Sequence, residues 1–277
     1  MNVADHVARV AASQPDRAAL WFEGRTLSYG ELHRRSSALA DAIVKAGLVV
    51  GDRVALFLPN IPEFAVAYLA ALKAGCIAVS VNAMFKTDEV AFVLNDSASR
   101  VVFTTAELLP QLDQGRCRAV EHVICCEGTA PAGQAQPMEV WVGRGDGNFV
   151  AKRMARDAAA SLLYSSGTTG VPKGVTLSHW NIISNFRTAA RCSAYRPEDK
   201  LVAFLPLFHV FGQNYILNGG LEAGATVLLF RRFVPDVVLS AIASERATVF
   251  FGVPTIYIAL LATDVSSHDL TSLRYFF

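Results

Sequence analysis

Between Arg53 and Cys126, short β-branched and apolar runs alternate with stretches of helical pattern. Arg53–Leu58, Ile77–Val81, Val101–Thr104 and His122–Cys126 read as buried strands. Between them, "FAVAYLAALKAG" reads as a helix stopped by Gly75, "TDEVAFVLNDS" as another, and the residues after Thr104 as a third, running to about Leu112. This succession restricts the chain to an α/β fold of mainly parallel sheets with helices on both faces. A parallel strand pair needs a long crossover, and the helix that makes it covers a face. Hydrophobic residues make up 52% of the 277 and charged residues 18%, enough to fill the core of such a fold.

The flanks extend the pattern. A helix is predicted at Val3–Ala12 and a strand at Ala18–Trp21. Ser28, with Glu31 three residues on, makes a capping box for a helix that buries Leu32, Leu39 and Ile43 and stops at Gly47. Asn60 and Glu63 form a second box. The segment 127–149, rich in Gly, Pro and Gln, reads as a surface excursion, and its Gly143–Gly147 spacing as a plain loop rather than a dinucleotide fingerprint. Past Tyr164, strands are predicted at Leu201–Phe204, Thr226–Phe230, Thr248–Phe251 and Arg274–Phe277. Helices are predicted at Trp180–Cys192, around Tyr215–Leu221, at Pro235–Ser244 and at Pro254–Ala262. Two α/β blocks follow, hinged near Ala194–Lys200.

A net charge of +1 with no long basic run predicts no nucleic-acid partner. Five cysteines, an odd number with no C-x-x-C pair, predict reduced thiols and a cytoplasmic protein. The N-terminus lacks an apolar signal core, and the charge-free stretches Leu201–Leu221 and Ala247–Thr263 are broken by Gly and Pro, so no transmembrane segment is predicted.

"YSSGTTGVPKG", Tyr164 to Gly174, is the densest chemical signal. Strands predicted at Ala158–Ser165 and Gly174–Ser178 leave an eight-residue loop, Ser166–Lys173, where ordinary hairpins need two to five. Gly167 and Gly170 let backbone N–H groups approach a ligand closely. Ser165, Ser166, Thr168 and Thr169 add hydroxyls, Pro172 stiffens the closing turn, and Lys173 adds a point charge. Donors, close backbone and one cation describe a polyphosphate cradle. It is not a Walker A loop, because Lys173 precedes Gly174 and an extended "VTLS" follows.

The loop resembles the phosphate signature of the adenylate-forming (AMP-binding) superfamily: acyl- and aryl-CoA ligases, luciferases and peptide-synthetase adenylation domains. "LSYGELHRRSSALADAI", "GDRVALFLPNIPEFAVAYLAALKAGCIAVSVN", "LSHWNIISN", "LPLFHVFGQN" and "FFGVPTIYIALL" resemble family segments in family order, so the resemblance covers the whole chain. It implies two stacked α/β sub-lobes, 50–195 and 1–49 plus 196–277. It implies ATP, Mg²⁺ and coenzyme A as reactants. A carboxylate attacks the α-phosphate of ATP to give acyl-AMP and pyrophosphate, and a thiol then displaces AMP. Ser165, Ser166, Gly167, Thr168, Thr169, Gly170 and Lys173 are implied to hold the β- and γ-phosphates, with Thr168 also helping to hold Mg²⁺.

His209, among Phe204, Leu205, Phe208 and Phe211, reads on its own as a core histidine. The resemblance instead implies a catalytic position where the acyl carboxylate meets the adenylate, with Phe211 and Tyr215 on the acyl-pocket wall. Phe250, Phe251, Val253, Ile256 and Tyr257 are expected to add apolar wall. No Asp or Glu lies within Leu201–Leu221 to pair a substrate ammonium; a buried unpaired charge is very costly, so the acid is expected to lack an amino group. A medium- or long-chain fatty acid suits these walls, and an aryl acid remains open. Arg232 is implied to lie near coenzyme A, its alternative being a solvated strand end.

The family's chains continue past a strand like "LRYFF" with adenine- and ribose-binding segments, a Mg²⁺-binding Glu and a C-terminal domain bearing a catalytic Lys. The chain is therefore expected to be an incomplete N-terminal adenylation domain, poorly active or inactive alone, self-associating through cut surfaces. A nucleotide- or acyl-binding fragment completed by another chain is the alternative.

Overall fold

The computed structural model describes residues 1–165 and 172–277 and is built on two sheets. Elements are numbered in chain order. The seven-stranded sheet has the order β7-β6-β5-β3-β4-β8-β9: Gln136–Pro137, His122–Cys125, Ser99–Thr104, Arg53–Leu56, Ile77–Ser80, Ala159–Ser165 and Lys173–Ser178. The six-stranded sheet has the order β13-β12-β10-β11-β1-β2: Tyr275–Phe276, Val249–Phe250, Lys200–Ala203, Thr226–Leu229, Ala18–Phe22 and Arg25–Ser28. All pairings are parallel except the hairpins β1–β2 and β8–β9.

The helices are α1 (Asp5–Ser13), α2 (Tyr29–Lys45), α3 (Pro62–Lys73), α4 (Thr87–Asp96), α5 (Met138–Arg144), α6 (His179–Cys192), α7 (Gly219–Ala223), α8 (Pro235–Glu245) and α9 (Pro254–Leu261). A π-helix at Phe211–Asn218 runs into α7.

Strand alternation assigns residues to layers. In β3, Val54 and Leu56 face the central core with α2, α3 and α6, whereas Ala55 and the following Phe57 face α4. In β10, Leu201 and Ala203 join the same central core, whereas Val202 and the following Phe204 pack toward α8. Both sheets thus share one middle layer. That is why α3 is apolar all round, with Phe64–Lys73 buried without a break.

The predicted alternation is present, with three local differences. Ser28 caps α2 as expected, accepting from the Glu31 N–H at 3.2 Å. Asn60 does not cap α3: Ile61 stands at the cap and Pro62 opens the helix. Its buried side chain reaches the other sheet instead, accepting from Leu207 N–H at 2.8 Å and donating to Leu205 C=O at 3.0 Å. The helix expected up to Leu112 is a single 3₁₀ turn, Leu109–Gln111, because Pro110 removes a backbone donor. The expected surface excursion contains β7 and α5, with Met138 and Trp141 buried.

The turn after α5 presses on α2. A Cβ on Gly145 would stand 1.8 Å from Ala38 C=O. Gly145→Ala is therefore expected to lower stability by about 2 kcal/mol, because neither backbone can yield cheaply. Urea unfolding at constant m-value checks this. Among the described residues, no helix is long and apolar enough to cross a membrane.

Candidate active site

The cleft between the sheets collects most of the sequence-nominated residues that the structure describes. β8 and β9 form an antiparallel pair whose last register positions are Ser165 and Lys173. Lys173 is exposed and opens β9, one residue earlier than the sequence suggests. Ser166, Gly167, Thr168, Thr169 and Gly170 lie outside the described residues. Gly174 packs closely against Tyr164: a Cβ there would stand 3.1 Å from its ring. The Tyr164 hydroxyl donates to Asp96 Oδ2 at 2.6 Å. Burial, reinforced by that carboxylate, raises its pKa above the ordinary phenol range.

His209 is not a core histidine. It is exposed at the end of a turn in which its N–H donates to Pro206 C=O at 3.1 Å. Its Nδ1 accepts from Phe211 N–H at 3.3 Å, which leaves Nε2 to carry the proton of the neutral ring. Two cavities meet at this residue. One, of about 390 Å³, runs toward Ser80, Asn82, Tyr164 and Val175 on the seven-stranded sheet. The other, of about 570 Å³, is walled by Met84, Leu205, Phe211, Tyr215, Val253 and Phe277. Phe208 and His209 belong to both, and neither lining includes an Asp or Glu.

The π-helix carries the wall. Phe211 and Tyr215 stack with ring centroids 4.9 Å apart and planes at 8°. The helix is pinned on its buried side. Gln213 Nε2 donates to Ser80 Oγ at 2.8 Å, and Asn218 Nδ2 donates to the Tyr68 hydroxyl at 3.1 Å. Both bonds cross to the other sheet or its helix, so the wall is held relative to both halves of the cleft. These buried amides were visible in sequence only as polar interruptions in a charge-free stretch.

Of the five residues expected to extend the wall, Val253 alone lines the cavity. Phe251 stands one layer behind, edge-on to Tyr215 at 5.9 Å. Phe250, Ile256 and Tyr257 pack instead into the core on the α8 side, because Phe250 and Phe251 are consecutive in an extended strand end and must face opposite ways. Met84, Leu205 and Phe277 were not nominated for this wall; Met84 comes from the loop after β4, far away in sequence. Arg232 is exposed just after β11 and lines neither cavity. Its neighbour Arg231 is the structural one, bridging Glu23 at 3.0 Å and Glu127 at 2.8 Å. No cluster of three His, Cys, Asp or Glu able to hold a metal ion occurs among the described residues.

Comparison with known proteins agrees with this geometry. The family of AMP-binding enzymes matches residues 7–277. A feruloyl-CoA synthase of an Amycolatopsis species is 34% identical over 96% of this chain and 52% of its own length. A long-chain-fatty-acid–CoA ligase of Bacillus subtilis is 29% identical over 95% of this chain and 52% of its own. Among solved structures, the anthranilate CoA ligase AuaEII in complex with anthranoyl-AMP superposes with a TM-score of 0.93 at 29% identity, over 100% of this chain and 54% of that one. The chain spans about half the length of the curated relatives it matches. The glycine- and hydroxyl-rich sequence between β8 and β9, the histidine between two cavities and the match over nearly every residue lead to one conclusion: this chain belongs to the AMP-binding enzyme family.

Proposed function

We propose that this chain carries the acid-activating site of an ATP-dependent acid–thiol ligase. The acid carboxylate attacks the α-phosphate of ATP, breaking the bond to pyrophosphate and giving acyl-AMP. The thiolate of coenzyme A then attacks the acyl carbon and AMP leaves. The observation that carries this reading is His209 at the meeting of two cavities, one of about 570 Å³ with a mostly apolar lining, the other leading toward the β8–β9 hairpin.

In this reading the loop from Ser165 to Lys173 (Ser165, Ser166, Gly167, Thr168, Thr169, Gly170 and Lys173) holds the β- and γ-phosphates, and Thr168 helps to hold Mg²⁺. Mg²⁺ supplies charge neutralisation between the phosphates. A seven-residue connection between two paired strand ends, longer than an ordinary hairpin needs, supports this role. Lys173 and His209 act at the reacting end, Phe211, Tyr215 and Val253 wall the acid, and Arg232 approaches coenzyme A.

The acid is a medium- or long-chain fatty acid. Absence of any carboxylate from the cavity lining supports a substrate without an ammonium group, and each buried methylene contributes about 0.8 kcal/mol. One observation favours an aryl acid as the second reading: the parallel Phe211 and Tyr215 rings offer a flat wall for another ring. The unit is an incomplete N-terminal adenylation domain with sub-lobes 50–195 and 1–49 plus 196–277, cytoplasmic, with activity that needs the family's remaining half. Exposed Ile258, Leu261 and Phe276 support self-association of the chain by itself.

The test is mass-spectrometric detection of acyl-AMP with Mg-ATP and a panel of fatty and aryl acids, on this chain and on the protein at its full natural length. Adenylate from fatty acids is the expected result at full length. Adenylate from aryl acids alone selects the second reading, and ADP in place of AMP overturns both.

A further inference from the structure

The Tyr215 ring lines the acid cavity, and that ring is tied down by a residue outside the cavity lining. The Tyr215 hydroxyl and Ser193 Oγ lie 2.6 Å apart. Ser193 follows α6 directly and is buried, at 3% exposure. Its own N–H is already used, donating to Ala189 C=O at 3.0 Å. Its hydroxyl also interacts with the Tyr195 side chain, whose own hydroxyl donates to Tyr215 C=O at 3.5 Å; no other side-chain hydrogen bond to the Tyr215 hydroxyl is present among the described residues.

The surroundings leave the phenol few other places to point. Tyr215 is stacked on Phe211 and meets Tyr195, Phe251 and Phe277 edge-on, with centroids 6.3, 5.9 and 6.4 Å away. Four aromatic rings thus surround it. The Ser193–Ala194–Tyr195 turn is itself held in a demanding shape. Ala194 takes φ +46°, a left-handed conformation that alanine adopts only when its neighbours impose it. Tyr195, next along, packs its ring edge against Tyr215 from the same side. Serine and turn thus act as one fixed bracket behind the cavity wall.

We propose that Ser193 is a positioning residue for acid selection: through its hydrogen bond it holds Tyr215 in the wall of the acid cavity. This deepens the proposed function and rests on that reading. Ser193 touches neither cavity, so it acts only through Tyr215. Without its partner, the Tyr215 hydroxyl is stranded in an apolar wall at the cost of its desolvation. The ring then leaves its stack to reach water, narrowing the cavity and making its wall polar. Long acids suffer and short acids do not.

The experiment measures kcat and KM for adenylate formation with straight-chain acids of increasing length, on the protein at its full natural length. For Ser193→Ala the expected result is at least a tenfold rise in KM for the longest acid that the parent accepts, with kcat and the shortest acid little changed. Ser193→Thr, which keeps a hydroxyl, restores the parent profile. In a Tyr215→Phe background Ser193→Ala has no further effect, because no hydroxyl is left to strand. Should Ser193→Ala not fold, Ser193→Cys, of nearly the same shape but a weaker hydrogen-bonding group, reads the same shift at smaller size. A loss spread evenly over all acid lengths, or the same Ser193→Ala effect in the Tyr215→Phe background, overturns the proposal. A parent that adenylates acids but whose profile ignores Ser193 overturns it alone; a parent that adenylates no acid overturns the proposed function with it.

Discussion

Gly212→Ala is expected to lower acid-dependent adenylate formation by about a hundredfold or more. The reason is geometric. A Cβ on Gly212 would stand 2.3 Å from Pro206 C=O and 2.9 Å from Leu205 C=O. Both are backbone atoms, so no rotamer change relieves the overlap. Either the Pro206–His209 turn moves outward or the first turn of the π-helix unwinds. His209 N–H depends on Pro206 C=O, and His209 C=O accepts from Gln213 N–H at 3.0 Å. Both routes therefore displace His209 and the stacked Phe211 together. A shift of about 1 Å in a reacting group is enough for a loss of that order. Gly212 is buried at the start of a wall rather than in the central core, so the unfolding free energy should fall by only about 1–3 kcal/mol. Acyl-AMP yield beside a urea melt at one temperature checks both halves. A variant that activates acids at the parent rate would show that the turn and the wall are not coupled.

The second large effect is on stability, and it comes from Lys73. This lysine ends α3 in the shared middle layer, with 1% of its surface exposed. Its Nζ donates to His33 C=O at 2.9 Å, Ser36 Oγ at 2.8 Å and Ser37 Oγ at 2.9 Å, and lies 3.1 Å from His33 Nδ1. No carboxylate is among these partners. Burial lowers its pKa from 10.5 to about 7. His33 is lowered to about 4, first by burial and then by the Lys73 charge.

The sign follows from proton counting. Above about pH 7 the folded protein releases the Lys73 proton, whereas the unfolded chain keeps it until near 10.5. The unfolded state then binds more protons, so stability rises with pH through that window. Each pH unit inside the window is worth up to about 1.4 kcal/mol. Between pH 7 and 8.5 the unfolding free energy should therefore rise by about 1–2 kcal/mol, and Lys73→Met should flatten the rise. Staying below pH 9 avoids Cys76, whose thiol burial raises to about 12 and whose ionisation in the unfolded chain acts in the opposite sense. Urea titrations at three pH values in that range decide it. A parent protein as flat as Lys73→Met would mean that the buried ammonium is compensated in a way its partners do not reveal. On the acid side, His6, His33 and His179 are all lowered to about 4 by burial. Stability should fall as pH drops from 6.5 toward 4, because the unfolded imidazoles take up protons first.

The sequence by itself determined the layered α/β fold and the family. Period-two and helical patterns alternate from Arg53 to Cys126, and each pattern is a local property that short-range sterics and burial enforce. Glycine spacing and hydroxyl density around Gly167 and Gly170 are local too, which is why the β8–β9 loop stood out unaided. His209 was legible as a residue but not as a site. On its own sequence neighbourhood it belongs in a core, and only its exposure at the meeting of two cavities separates the readings.

Tertiary structure alone decided everything that joins distant segments. Asn60 fits a helix cap in sequence and becomes a clamp on Leu205 and Leu207, 145 and 147 residues away. Phe250 and Phe251 are indistinguishable in sequence, yet one faces the α8 core and the other backs the Phe211–Tyr215 wall. Met84 enters that wall from the opposite sheet. Lys73 looks like an ordinary cation at a helix C-terminus, and its burial follows from two sheets closing on one middle layer. Hydrogen bonds and cavity walls such as these depend on which surfaces meet, and no local pattern records the identity of the surface across the gap.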